Sequence, residues 1–228
     1  MTLFDRLKTA AEPEWSAYTG HSFLRQLEDG TLPEAAFRNY LIQDYLFLIQ
    51  FARAYALAAY KGRTLADITQ GLRGLNASVE ETELHVRLCA AWGISREQME
   101  ATPEHPATVA YTRYVLDTGM RGDLLDLHVA LSPCVVGYAE IGARLRPTLE
   151  ANPDHPYAEW IAEYSSEESQ QLAAEATAAI DALGERFLPE ARFSEVAETF
   201  ATATRMESAF WQMGLDLGAA DQGRPLAH

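Results

Sequence analysis

The segment Tyr40-Leu41-Ile42-Gln43-Asp44-Tyr45-Leu46-Phe47-Leu48-Ile49 is apolar round almost the whole circumference of a helix. Helices of that kind are buried, and the rest of the chain has the apolar content to surround one. Hydrophobic residues make up 48% of 228, which excludes wholesale disorder. Helical periodicity runs nearly end to end. Ala, Leu, Glu, Gln and Arg dominate, and hairpin dipeptides such as Asn-Gly are absent. An all-α class follows. At roughly 150 residues per domain the length suits one domain or a close pair. With no linker and no composition shift, we expect a single domain over 1–217 and a frayed tail over 218–228.

Start and stop signals divide the chain further. A first helix is expected over about 2–18, and a short one after His21. A long helix capped by Thr31, with Pro33 in its first turn, should run to about Tyr60. Another long helix follows to about Ala91. Ser95 and Gln98 read as a capping box. A helix over 105–120 is followed by one that Asp123 caps, reaching about Glu150 with an interruption at Pro133. A short helix should end near Tyr164. Ser165 with Glu168 should cap the next, to about Gly184, and Ser194 the last, to about Leu217. Pro103-Glu104-His105-Pro106 and Pro153-Asp154-His155-Pro156 echo each other and read as two similar helix entries.

Charge narrows the partners. Acids outnumber bases 33 to 18, a net charge of -15, and Lys8 and Lys61 are the only lysines. Such a chain is a poor direct binder of nucleic acid or of anionic lipid. No apolar run reaches about 18 residues, so no membrane span is expected, and the N-terminus lacks a signal-peptide core. Two cysteines exclude a disulfide scaffold and suit a reducing cytoplasm.

Three places could carry chemistry. Asp44 lies in the helix that is apolar all round; burying a carboxylate costs several kcal/mol unless it is paired, so it has a protein partner or faces a polar cavity. Phe47 shares its face. Pro133 predicts a kink, with Cys134 beside it and Tyr138 one turn on; a lone Cys on an apolar helix is more often inert core, and Cys89 reads as core outright. Glu207 and Phe210 repeat the acid-plus-aromatic spacing of Asp44 and Phe47, while Tyr111, Tyr114, Trp160 and Tyr164 lie on other helices. Two buried acids, a Cys and several Tyr would suit a flat, nitrogen-rich heterocycle. Metal sites are weaker. Glu81 and His85, with Glu140, lack the second Glu-plus-His set that a di-iron site wants. His21 as a haem ligand competes with a capping role that fits better.

Taken together, Gln43-Asp44, Ala110-Tyr111-Thr112, Leu131-Ser132-Pro133-Cys134 with Tyr138, Trp160-Ile161-Ala162-Glu163-Tyr164 and Glu207-Ser208-Ala209-Phe210-Trp211 resemble the TenA family, also called thiaminase II or aminopyrimidine aminohydrolase. The resemblance covers nearly the whole chain, and Cys134 places it with the branch that keeps the Cys nucleophile. It implies a haem-oxygenase-like helical bundle, assembled as a homotetramer and needing no metal or organic cofactor. The implied reaction, in thiamine salvage, takes 4-amino-5-aminomethyl-2-methylpyrimidine to the 5-hydroxymethyl compound plus ammonia. Many members also cleave thiamine to that pyrimidine and the thiazole alcohol.

By the same resemblance Cys134 is the nucleophile and Glu207 the proton donor to the departing amine. Asp44, Tyr138 and Tyr164 bind the pyrimidine, Tyr111 orients Glu207, and Phe210 adds a wall. Two departures stand out. Phe47 occupies a position that is Tyr in some members, where the hydroxyl is thought to activate the thiol. Ser169 stands where an aromatic is expected. The alternatives are a non-catalytic regulatory or pyrimidine-binding protein, and a haem or di-iron redox enzyme on the same fold.

Overall fold

The computed structural model describes residues 1–222; the remainder of the expected tail, 223–228, lies outside the described residues. The all-α expectation holds, with no strand among the described residues. Helix α1 (Leu3–Ala10) opens on a Thr2/Asp5 capping box. The single helix expected over 2–18 is two helices. Pro13 falls in the first turn of α2 (Glu12–Thr19), where its missing N–H costs nothing, and the break falls at Ala11. His21 caps α3 (Ser22–Glu28).

Helix α4 (Glu34–Lys61) has Pro33, not Thr31, at its N-cap; the Thr31 hydroxyl donates back to the Gln26 carbonyl. A Thr64/Asp67 capping box, unread in the sequence, starts α5 (Leu65–Ala90). The Ser95/Gln98 box starts α6 (Arg96–Glu100) as expected. Helix α7 covers Pro106–Arg121.

Asp123 caps α8 (Leu124–Ala151), accepting from the Leu125 and Asp126 amides. Pro133 does not interrupt α8. Proline removes one ladder donor and so frees the carbonyl four residues back; the Ser132 hydroxyl donates to that Val129 carbonyl at 2.9 Å. Helix α9 covers Ala158–Tyr164, and Ser165 closes it. The N-cap of α10 (Glu167–Phe187) therefore falls to Ser166, one residue beyond expectation. A 3-10 turn (Glu190–Arg192) leads into α11 (Phe193–Gln222), which places Ser194 inside the helix and carries it past Leu217.

The two Pro-acid-His-Pro segments are similar helix entries. His105 Nδ1 accepts from the Ala107 amide and His155 Nδ1 from the Tyr157 amide.

The chain forms two compact units, Met1–Leu32 with Gly122–Ser208, and Pro33–Arg121 with Ala209 onward. In the first, Trp15 stacks on Phe200 at 5.6 Å, and Phe4 meets both rings edge-on. Helix α8 is the one helix among the described residues long and apolar enough to cross a membrane, yet 78% of its apolar window is buried inside the protein. Gly142 is where α9 comes closest to it. A Cβ there would lie 2.2 Å from the Tyr164 carbonyl, so the absent side chain lets the end of α9 rest on α8. In the second unit, α4 packs against α5 through an equally close approach: a Cβ on Gly71 would lie 2.5 Å from the Ala59 amide nitrogen. Gln43 ties α4 to the entry of α7, accepting from the His105 amide and the Thr108 hydroxyl and donating to the Pro103 carbonyl.

In an open helix, Gly to Ala stabilises by about 0.8–1 kcal/mol. At Gly142 the sign should reverse. Gly142→Ala is expected to lose about 1–3 kcal/mol in urea unfolding; a gain in stability would contradict the close packing of α9 on α8.

Candidate functional site

In the second unit the site is organised by Asp44, only 3% exposed. Its neighbours along α4, from Gln43 to Leu48, are all buried, so its charge must be met from within. Tyr40, one turn earlier, donates to Asp44 Oδ2 at 2.8 Å. His85 Nε2, from α5, lies 2.8 Å from the same oxygen. Asp44 Oδ1 makes no hydrogen bond among the described residues. Of the two readings of Asp44 left open by the sequence, the protein partner is therefore realised on one carboxylate oxygen.

His85 is fully buried and sits 2.9 Å from the Glu81 carbonyl through Nδ1. Burial pulls its pKa down, but the hydrogen bond to Asp44, the Asp44 and Glu81 charges and the Glu81 carbonyl together outweigh that and raise it. A rise of this kind is what a carboxylate partner does to an imidazole.

An aromatic wall adjoins the acid. Phe47 is one turn beyond Asp44, 4.9 Å from the Tyr111 ring and 5.5 Å from the Phe210 ring. Tyr40 meets Phe210 edge-on. The structure thus brings four of the candidate residues, Asp44, Phe47, Tyr111 and Phe210, into one cluster. Such a cluster offers π faces to a flat ring and an acceptor to its N–H edge.

The first unit holds Cys134, Tyr138, Tyr164 and Glu207. Tyr138 lies 4.9 Å from Tyr164 and 6.0 Å from Trp160. Cys134 is half-buried, while Leu131, Ser132 and Pro133 immediately before it are buried. Glu207 is a second deeply buried acid, 2% exposed. Tyr18 lies over this stretch of α8. Its hydroxyl donates to the Pro133 carbonyl at 3.4 Å, and a Cβ on Gly137 would collide with its ring. Ser169 donates its amide to Ser166 in the first turn of α10. The two thiols differ sharply. Cys89 is wholly enclosed, and burial pushes its pKa up to about 11, which suits the core role expected of it.

The residues weighed for metals are occupied otherwise. His85 pairs with Asp44 and the Glu81 backbone. Glu140 takes Lys8 and the Trp15 indole. His21, considered for haem, accepts from the Phe23 amide. Among the described residues no group of three or more His, Cys, Asp or Glu could hold a metal ion. Sequence reasoning missed one residue of consequence, the Asp44 partner His85. Its spacing to Glu81 pointed to a ligand pair, and nothing along the chain linked it to Asp44.

Comparison with known proteins bears on the family and the fold. Residues 8–217 match the model of the TENA/THI-4/PQQC family. The chain is 36% identical over 215 residues to the aminopyrimidine aminohydrolase of Halalkalibacterium halodurans, covering 93% of this chain and 95% of that one. A crystal structure from Silicibacter sp. TM1040, described as a TenA family transcription regulator, superposes with a TM-score of 0.88 at 45% identity, covering 93% of this chain and 96% of that one. A domain from Shewanella denitrificans with a heme oxygenase-like fold superposes with a TM-score of 0.77 at 12% identity, covering 98% and 96%; at that identity it speaks for the fold alone. The helical architecture is thus haem-oxygenase-like, and the chain belongs to the TENA/THI-4/PQQC family.

Proposed function

We propose that the protein is a thiamine-salvage hydrolase that converts 4-amino-5-aminomethyl-2-methylpyrimidine and water to 4-amino-5-hydroxymethyl-2-methylpyrimidine and ammonia, with cleavage of thiamine to the same pyrimidine as a second activity. The observation that carries this reading is Asp44: a buried carboxylate, fixed through one oxygen and open at the other, beside the Phe47, Tyr111 and Phe210 rings. The name of the Halalkalibacterium relative supports it.

Direct displacement of an amine from the exocyclic methylene is slow. In the proposed route the Cys134 thiolate adds to a ring carbon and breaks aromaticity. The electron pair returning from the ring expels the amine, which takes a proton from Glu207 as it leaves. Water then adds to the exocyclic carbon, giving its proton to the Glu207 carboxylate, and the thiolate departs as aromaticity returns. The thiolate is the reactive form of a Cys. A carboxyl as buried as Glu207 loses most by being charged, which suits a proton donor. Asp44 accepts from the amino edge and offsets charge that develops on the ring. Tyr138 and Tyr164 hold the pyrimidine, Tyr111 orients Glu207, and Phe210 closes one wall.

On the same reading the protein is a cytoplasmic homotetramer that takes a small-molecule substrate, with no metal or organic cofactor, no membrane and no nucleic acid. The regulatory alternative, if it worked by direct contact with DNA, would meet a net charge of -15, which is unfavourable.

Cys134→Ser is expected to lower turnover by about a thousandfold or more while pyrimidine binding, followed by calorimetry, stays within about threefold. Normal turnover in that variant would remove the covalent route. Phe47→Tyr should leave turnover equal or higher, since by the family resemblance it places a hydroxyl where some members carry one. A tenfold drop, about 1.4 kcal/mol of transition-state stabilisation, would contradict that account of Phe47.

A further inference from the structure

The Asp44–His85 pair has a chemical polarity that the aminopyrimidine reading alone does not use. A backbone carbonyl only accepts, so the contact to Glu81 assigns a proton to His85 Nδ1. His85 Nε2 then meets an oxygen that already accepts from the Tyr40 hydroxyl. One further proton lies between Nε2 and Oδ2. On either partner it holds Oδ2 to Nε2, and Oδ1, which carries no proton, is an acceptor.

We propose that His85 is a positioning and specificity residue: it holds Asp44 through Oδ2, so that Oδ1 is kept turned to the pyrimidine ring as an acceptor and selects amino over oxo groups there. An amino group donates to that oxygen. A ring carbonyl at the same place sets two acceptors against each other in a buried setting, where an unmet polar group is expensive. The raised pKa of His85 is in keeping with this polarity. Asp44, Glu81 and the Tyr40 hydroxyl are the charged and titratable groups within the second unit that bear on it. The proposal rests on Asp44 being the pyrimidine ligand, and it adds a residue and a selectivity that the family likeness does not assign.

The test compares two polar substitutions. His85→Asn keeps an amide N–H near the Glu81 carbonyl but is too short to reach Asp44. His85→Gln extends an N–H to the Nε2 position and keeps the bond to Oδ2. The readout is the ratio of dissociation constants, by calorimetry, for 4-amino-5-hydroxymethyl-2-methylpyrimidine and its 4-oxo analogue. The wild-type protein should prefer the amino compound. His85→Asn should reduce that preference about tenfold, the scale on which loss of an orienting partner acts, while His85→Gln should stay within about threefold of wild type. A purely structural role would weaken both ligands alike and leave the ratio unchanged. An unchanged ratio in His85→Asn, or equal loss in both variants, would overturn the proposal. Asp44→Asn separates the two layers. Its side chain can turn either an acceptor or a donor to the ring, so the ratio should fall. If it does not, the assignment of Asp44 fails whatever His85 does; if it falls while His85→Asn behaves as wild type, only the role of His85 fails.

Discussion

A charge inside the fully buried stretch of a helix, Gln43 to Leu48, is the constraint on which the candidate site depends. Left alone, the Asp44 carboxylate would cost several kcal/mol, and removing one member of such a buried pair leaves the other uncompensated. Tyr40 supplies one donor from the preceding turn of α4, and His85 supplies the other from α5. The bonds share one oxygen, so the acid is anchored without being saturated. A fully saturated carboxylate would be structural and nothing more. A carboxylate with an uncommitted oxygen beside three aromatic rings is equipped to receive a ligand.

The scaffold serves that arrangement through close helix contacts. The α4 and α5 backbones approach at Gly71, on the helix that carries His85 one side and against the helix that carries Asp44. Gln43, adjacent to Asp44, uses both ends of its amide to fix the start of α7, the helix that presents Tyr111. In the other unit, Ser132 repairs the hydrogen-bond ladder that Pro133 breaks, so α8 passes through the proline as one helix and carries Cys134 and Tyr138 on consecutive turns. Polar side chains in these cores thus act locally, each meeting a backbone group that would otherwise be unpaired.

Much of this was legible in the sequence, because amphipathic periodicity and local caps are short-range signals. The Ser95/Gln98 box and the Asp123 cap stand where the residues place them. The errors are also local competitions. Thr31 loses the α4 cap to Pro33, Ser165 is used to close α9 and yields the α10 cap to Ser166, and Pro13 splits one expected helix into two. The buried position of Asp44 followed from its apolar surroundings, and the capping role of His21 from its place at a helix start. The pairing of His85 with Asp44 did not, since 41 residues separate them and a Glu-x-x-x-His spacing looks the same whether the imidazole serves a metal or a carboxylate. The roles of Cys134 and Glu207 came from family likeness, because a half-buried thiol and a buried acid carry no signature of their own.

The measurement that bears most directly on the account is chromatography of the products formed when the purified protein is incubated separately with 4-amino-5-aminomethyl-2-methylpyrimidine and with thiamine, with ammonia assayed alongside. The account predicts the 5-hydroxymethyl pyrimidine from the aminomethyl compound, with one ammonia released for each pyrimidine formed. Recovery of both compounds unchanged, from protein shown to be folded, would contradict it.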